Sequence, residues 1–173
     1  QGGVHLKREW LPVEEVIGSA LHQLGDRLAQ HPVKTRLASD LPLVHIDAIL
    51  MERVLVNLLD NACKYTPNGT QIQVEAHVVG DEFLLSVADG GPGLPPHMNA
   101  QQLFEPFTRG VVESSVSGIG LGLTLARRIA EAHGGKLDAA PAPSGPGVVF
   151  TIHLPLETPP ELDDLPPMAE PSE

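Results

Sequence analysis

Apolar residues recur at three- and four-residue steps through Val13, Val16, Ile17, Ala20, Leu21, Leu24 and Leu28. That stripe predicts an amphipathic helix over "LPVEEVIGSALHQLGDRLAQH", despite Gly18 and Gly25. Two short extended stretches follow, at "VKTRL" and "LVHI". Asp47 stands where an N-cap belongs, ahead of a second helix from Ala48 to Tyr65, and "TPNGT" is a turn that stops it. The strand-like runs "TQIQVEAHVV" and "FLLSVAD" are joined by Gly80-Asp81, a hairpin signal. "LGLTLARRIAEAH" reads as a third helix ended by Gly134-Gly135, and "KLDAA" and "GVVFTIHL" close the chain's ordered part as strands. Between Gly90 and Gly120 the sequence is rich in Gly, Pro and Ser with few periodic stretches. An irregular segment of that length in a compact domain is often a functional lid. The element order predicts an α+β class: a two-layer α/β sandwich with helices on one face of a mixed, largely antiparallel sheet.

Composition narrows what such a domain can do. The 173 residues suit one domain, with 10–156 as its expected extent. A net charge of −11 and 3% aromatics leave neither the basic face nor the stacking platforms of a nucleic-acid binder, so no nucleic-acid partner is expected. Part of that acidity lies in "ETPPELDDLPPMAEPSE", residues 157–173, which lacks Lys and Arg and reads as a disordered tail. No apolar run approaches the ~20 residues of a membrane-spanning helix, and the first residues lack the regions of a signal peptide. The segment is expected to be soluble, and a piece cut from a membrane protein would look the same. Cys63 is the single cysteine, which excludes an internal disulfide and suits a small filler on a packed helix. The eight histidines include no His-Glu-x-x-His arrangement and accompany no Cys-x-x-Cys pair, so they predict no metal centre.

The second helix carries a polar row that a core would not want. Asn57, Asn61 and Lys64 or Tyr65 fall at three- and four-residue steps, while Leu55, Leu58, Leu59 and Ala62 occupy other angles. Buried amides need partners, so the row suits either solvent or a polar ligand. Asn offers a carbonyl oxygen to a hard cation such as Mg²⁺, and Lys offers a mobile charge to phosphate.

Glycines supply two further parts. In "DGGPG" the Asp89 carboxylate follows directly on a strand, and Gly91 and Gly93 let the backbone turn sharply and approach a ligand. An ionised Asp only accepts hydrogen bonds, which suits the exocyclic amine of adenine and repels the carbonyl oxygen of guanine. An ordinary Asp-Gly turn would read the same way. In "SGIGLGL", Gly118, Gly120 and Gly122 alternate before and into a helix, where free N–H groups and the helix dipole favour anions. A flexible hinge is the plainer reading of that stretch. It is neither a dinucleotide fingerprint, since position 123 is Leu, nor a P-loop. Together the parts describe an ATP-shaped pocket: Mg²⁺ and phosphate on one helix, adenine at Asp89, and a glycine lid.

The same residues resemble the four boxes of sensor histidine kinases: Asn57 to Tyr65 the N box, "DGGPG" the G1 box, "FEPF" with Arg109 the F box, and "GIGLGL" the G2 box. They occur in the family's order over about residues 10–155. The resemblance implies the Bergerat ATP-binding fold shared by gyrase, Hsp90, histidine kinases and MutL. "EWLPVEEVIGSAL", "HIDAILMERVLVNLLDNACKY" and "FTRGVVESSVSGIGLGL" look most like the potassium-responsive branch. By this resemblance Asn61 ligates Mg²⁺ with Asn57 beside it, directly or through water. Lys64 and Tyr65 line the phosphate and ribose side, and Asp89 takes the adenine amine. Residues Gly118, Ile119, Gly120, Leu121 and Gly122 wrap the phosphates, and Arg109 reaches the γ-phosphate. Phe104 and Phe107 anchor the lid, or are plain core aromatics.

Two departures qualify the likeness. Gly90 replaces the Asn common after the G1 aspartate, which loosens the turn. No His-Glu/Asp-x-Arg-Thr-Pro motif occurs, so the phosphoacceptor is expected on a dimerisation domain of the same kinase, with residues 1–9 as the linker from it. The expected partners are ATP, that histidine-bearing domain and, through the full-length protein, a response regulator. The segment alone is expected to be monomeric, on the cytoplasmic side of an inner-membrane sensor. The nearest rival, an ATP hydrolase of the same fold, resembles other members with Glu where this chain has Asn57, and an amide cannot accept a proton from water. An anti-sigma serine kinase shares the fold too, but the Lys64-Tyr65 pair and the F box are closer to a sensor kinase. A module that has lost ATP and only binds a protein is the remaining alternative.

Overall fold

The computed structural model describes residues 5–92, 104, 119–143 and 146–160. Strand β1 (Glu9–Leu11) leads into helix α1 (Val13–Leu24) and a 3-10 turn (Gly25–Leu28). Strands β2 (Val33–Leu37) and β3 (Val44–Ile46) precede the long helix α2 (Ala48–Tyr65). The hairpin β4 (Ile72–Val79) and β5 (Glu82–Asp89) follows, and then α3 (Ile119–Ala132), β6 (Lys136–Pro141) and β7 (Val148–Pro155). Five strands form one mixed sheet in the order β2-β4-β5-β7-β6, with β2 parallel to β4 and every other pairing antiparallel. β1 and β3 form a separate antiparallel ribbon.

Alternation along the strands decides which face holds the helices. Ile72, Val74 and Ala76, then Phe83, Leu85 and Val87, and then Val148, Phe150, Ile152 and Leu154 are all buried. They point at α1, α2 and α3, whose stripes Val13-Val16-Ile17-Ala20-Leu24, Met51-Val54-Leu55-Leu58-Leu59-Ala62 and Leu123-Ala126-Ile129-Ala130 complete one core. Each fully buried Leu or Ile in that layer contributes about 1.5–3 kcal/mol. Because Asp89 has the same parity as Val87 and Leu85, the strand carries its carboxylate to the helix side.

The helical stripe of α1 reaches less far than its sequence suggests. Gly25 adopts φ 48° and ends the α-helix, so Leu28 lies in the 3-10 turn and is only half-buried. Asp47 is the N-cap of α2, its Oδ1 accepting from the Leu50 N–H at 3.1 Å. Strand β1 is three residues long, too short for periodicity to reveal; only its pairing with β3 defines it. The Gly90–Gly120 segment lies almost wholly outside the described residues, as do 161–173 of the acidic tail.

A polar knot ties the ends of α2 and α3 together. The Asp47 N–H donates to His133 Nε2 at 3.0 Å, and His133 Nδ1 lies 2.8 Å from the Ile129 carbonyl. Nδ1 therefore carries the proton and Nε2 accepts. The Lys7 N–H donates to Asp47 Oδ2 at 2.9 Å, and Arg8 Nη2 donates to the Ala132 carbonyl at 3.3 Å. Burial depresses the His133 pKa below its ordinary 6.5. Burial pushes the Asp47 carboxyl up, but the N–H groups of Lys7 and Leu50 outweigh it, and its pKa lies below the ordinary 3.8.

These directions set a pH window. His133 is neutral in the fold, so its contribution is complete above about pH 6.5 and is lost as pH falls below that, while Asp47 matters only in stronger acid. The melting temperature should fall between about pH 7.5 and about pH 5.5, and less steeply in His133→Gln. An equal fall in the variant contradicts the assignment.

Candidate functional site

The α2 helix presents its polar row at the seam between layers. Asn57 is half-buried and Asn61 is buried at 8% exposure, while Leu55, Leu58 and Leu59 on the other angles are sealed against the sheet. Tyr65 is half-buried at the helix end. Lys64 Nζ pairs with Asp60 Oδ2 at 3.0 Å, one turn back, and Asp60 also meets Arg27 at 3.3 Å. A pair this exposed is worth about 0–1 kcal/mol, so an anion of higher charge density competes for the ammonium at little cost.

The Asp89 turn abuts the end of α2. Asp89 Oδ1 accepts from the Gly91 N–H at 3.0 Å, which fixes the carboxylate's orientation. A Cβ built on Gly91 would lie 2.4 Å from Thr66 Cγ2, so only glycine fits there. Thr66 is in turn anchored to α2, its hydroxyl donating to the Ala62 carbonyl at 2.7 Å. From the other side Gly147, at φ +131°, presses on the same strand end: a Cβ there would lie 2.0 Å from the Asp89 carbonyl oxygen. Gly90 is different, because a Cβ would meet only Thr70 Cγ2, at 3.6 Å. The fold therefore has room for a Cβ at this position.

The third part is the start of α3. The helix begins at Ile119, so Ile119 to Gly122 form its first turn. Asn57 Nδ2 donates to the Gly122 carbonyl at 3.2 Å, joining α2 directly to that turn. Phe104 is buried at 3% exposure, edge-on to Phe150 with ring centroids 6.3 Å apart. The Arg127 guanidinium sits 5.4 Å from its ring centroid, and the Thr124 hydroxyl donates to its carbonyl at 2.8 Å. Gly93, Phe107, Arg109 and Gly118 lie outside the described residues.

The fold thus links α2 to both other parts: Asn57 bonds the first turn of α3, and Thr66 at the end of α2 packs on the Asp89–Gly91 turn. Sequence reasoning missed Thr66, Gly147 and Asp60. Gly147 had a signal, a glycine before a strand in "PSGPG", whereas the partner that makes it necessary is 58 positions away. A concavity of about 800 Å³ lies on the sheet's open face, lined by Arg36, Gln73, Glu75, Ser86 and Thr151 among others, and it also touches Asp89 and Gly90. Its lining comes mainly from the strands β2, β4, β5, β6 and β7. Among the described residues no group of three or more His, Cys, Asp or Glu is placed to hold a metal ion.

A helix-borne amide row, a strand-end carboxylate and a glycine-rich helix entrance in one α/β sandwich are the parts expected of an ATP-binding module. The model of the histidine kinase-, DNA gyrase B-, and HSP90-like ATPase family matches residues 46–158, and the chain belongs to that family. Over 163 residues it is 47% identical to the sensor protein KdpD of Escherichia coli (strain K12), covering 94% of this chain and 18% of that protein. It is 32% identical to the KdpD of Clostridium acetobutylicum over 158 residues, 91% of this chain and 17% of that one. The chain thus spans under a fifth of these curated relatives. Among solved structures, the mycobacterial sensor histidine kinase MprB aligns at TM-score 0.71 and 31% identity, over 86% of this chain and 97% of that one. Full-length ShkA in complex with AMPPNP aligns at TM-score 0.77 and 25% identity, over 91% and 33%.

Two glycines of the site should respond oppositely to alanine. At Gly122 a Cβ meets Asn57 Cγ at 3.8 Å, an ordinary contact, so Gly122→Ala should stabilise the helix by about 0.5–1 kcal/mol. At Gly147 the positive φ and the Asp89 carbonyl should make Gly147→Ala cost about 2 kcal/mol or more. Denaturant melts of the two variants check this, and equal effects contradict it.

Proposed function

We propose that this chain is the catalytic ATP-binding domain of a two-component sensor histidine kinase of the KdpD type. It binds Mg-ATP and delivers the γ-phosphoryl group to a histidine on a dimerisation domain of the same kinase. The observation that carries the reading is the pair of links from α2 to the other two parts, Asn57 bonded to Gly122 at the α3 entrance and Thr66 packed on Gly91 of the Asp89 turn. Catalysis of this kind is chiefly positioning and charge neutralisation, because a neutral imidazole nitrogen is already a nucleophile.

Each residue then has a task. Asp89, held by Gly91, accepts from the adenine amine and disfavours guanine. Asn61 and Asn57 offer neutral amide oxygens, a donor set that fits a magnesium ion, which when bound would neutralise charge on the phosphates. Lys64 leaves Asp60 for the phosphate side, and Tyr65 borders the ribose. Residues Gly118 to Gly122 and the dipole of α3 receive the phosphates. Phe104 anchors the lid that carries Arg109 toward the γ-phosphate. The amide at Asn57, where a hydrolase needs a base, favours transfer to a protein over hydrolysis. A response regulator is the eventual acceptor through the full-length kinase. The segment itself works as a monomer on the cytoplasmic face of a membrane sensor; no described helix is long and apolar enough to cross a membrane.

Mixing the chain with labelled ATP and the histidine-bearing domain should label that domain, while the chain alone turns ATP over slowly. Rapid steady hydrolysis by the chain alone contradicts the reading. In calorimetry Asp89→Asn should weaken Mg-ATP binding by about tenfold to a hundredfold, the loss of one charge-assisted hydrogen bond, with GTP a poor competitor of the unmodified chain. Unchanged affinity overturns the adenine assignment.

A further inference from the structure

Asn57 has a bond that metal binding does not explain. Its amide nitrogen donates to the main-chain carbonyl of Gly122 at 3.2 Å, across 65 residues of sequence. A carbonyl oxygen only accepts, so the nitrogen is the end of the amide that must face it. In a regular helix the Gly122 carbonyl already serves the N–H four residues on, and its second lone pair remains for Asn57. A Cβ on Gly122 would lie 3.8 Å from Asn57 Cγ and 3.9 Å from Oδ1, ordinary contacts, so the bond does not depend on a glycine at this position.

We infer that Asn57 is a positioning residue: its amide clasps the first turn of α3 to α2 and so sets the phosphate-receiving helix entrance relative to Asn61. The functional consequence rests on the ATP-binding reading, but the clasp exists without nucleotide. Neighbouring contacts support that division of labour. Phe104 meets α3 beyond its first turn, at Thr124 and Arg127. Asn57 Nδ2 reaches the first turn itself, at Gly122. The amide oxygen stays available for a cation, so a clasp and a metal contact are compatible. They differ in what remains when the metal is removed.

Hydrogen exchange on the nucleotide-free chain tests the clasp by itself. The amides from Leu123 to Ala126, which pair with first-turn carbonyls, should exchange on the order of fivefold faster in Asn57→Ala, the effect of one neutral hydrogen bond. Amides of α1 should not change. Asn57→Asp keeps the size and a cation ligand but turns an oxygen toward the Gly122 carbonyl, so it should also speed exchange. Should Asn57→Ala fold poorly, this nearly isosteric variant carries the test. ATP binding by Asn57→Ala should weaken both in Mg²⁺ and in chelator, while adenosine binding at Asp89 is unchanged. Unaltered exchange in both variants, or a loss of ATP affinity confined to Mg²⁺, overturns the clasp. Failure of the unmodified chain to bind ATP at all would instead overturn the proposed function and leave the exchange result standing.

Discussion

The α2 helix has to satisfy two surfaces at once, and the rest of the site follows from that. Its broad apolar side is pressed on the sheet and on α1, with Met51, Val54, Leu55 and Leu58 fully buried. A rotation of the helix by one residue step would drive Asn57 and Asn61 into that layer, where each unpaired amide costs about 1–3 kcal/mol. Packing therefore fixes the azimuth of the polar row. The row has one place to go, the seam that α2 shares with α3 and the Asp89 turn.

Close backbone approaches complete the arrangement. Strand β5 could end in many directions, but Gly91 against Thr66 and Gly147 against the Asp89 carbonyl leave it one. Each contact excludes a Cβ, so the carboxylate is held by missing atoms as much as by present ones. Thr66 links this turn to the same helix that carries the amides through its bond to the Ala62 carbonyl. The Asp47–His133 bond does for the opposite ends of α2 and α3 what Asn57 does near the α3 entrance. Two tie points hold the pair as a frame in which the α2 amides and the first turn of α3 keep their spacing.

Much of this was legible in the sequence because it is local. The three helices announce themselves by period, the β4–β5 hairpin by Gly80-Asp81, and the α2 cap by Asp47. The polar row on α2 was visible because a helix converts spacing into direction without any knowledge of the partner. What stayed hidden is long-range. Strand β1 exists through pairing with β3, and Gly147 matters through Asp89. The glycines of the first turn of α3 were visible, but that Gly122 accepts from Asn57 is a fact of three dimensions. Kinship with the family's kinases adds the chemistry that no single contact supplies.

The central claim is that nucleotide and cation occupy the helix-side seam and leave the sheet's open face empty. Replacing Mg²⁺ by paramagnetic Mn²⁺ with ATP, and following resonance broadening by NMR, tests it directly because broadening falls steeply with distance. The side-chain amides of Asn57 and Asn61 and the Gly122 backbone should vanish at the lowest Mn²⁺, with Gln73 and Thr151 among the last affected. Broadening that begins at Gln73 and Thr151 and spares Asn61 would contradict the account.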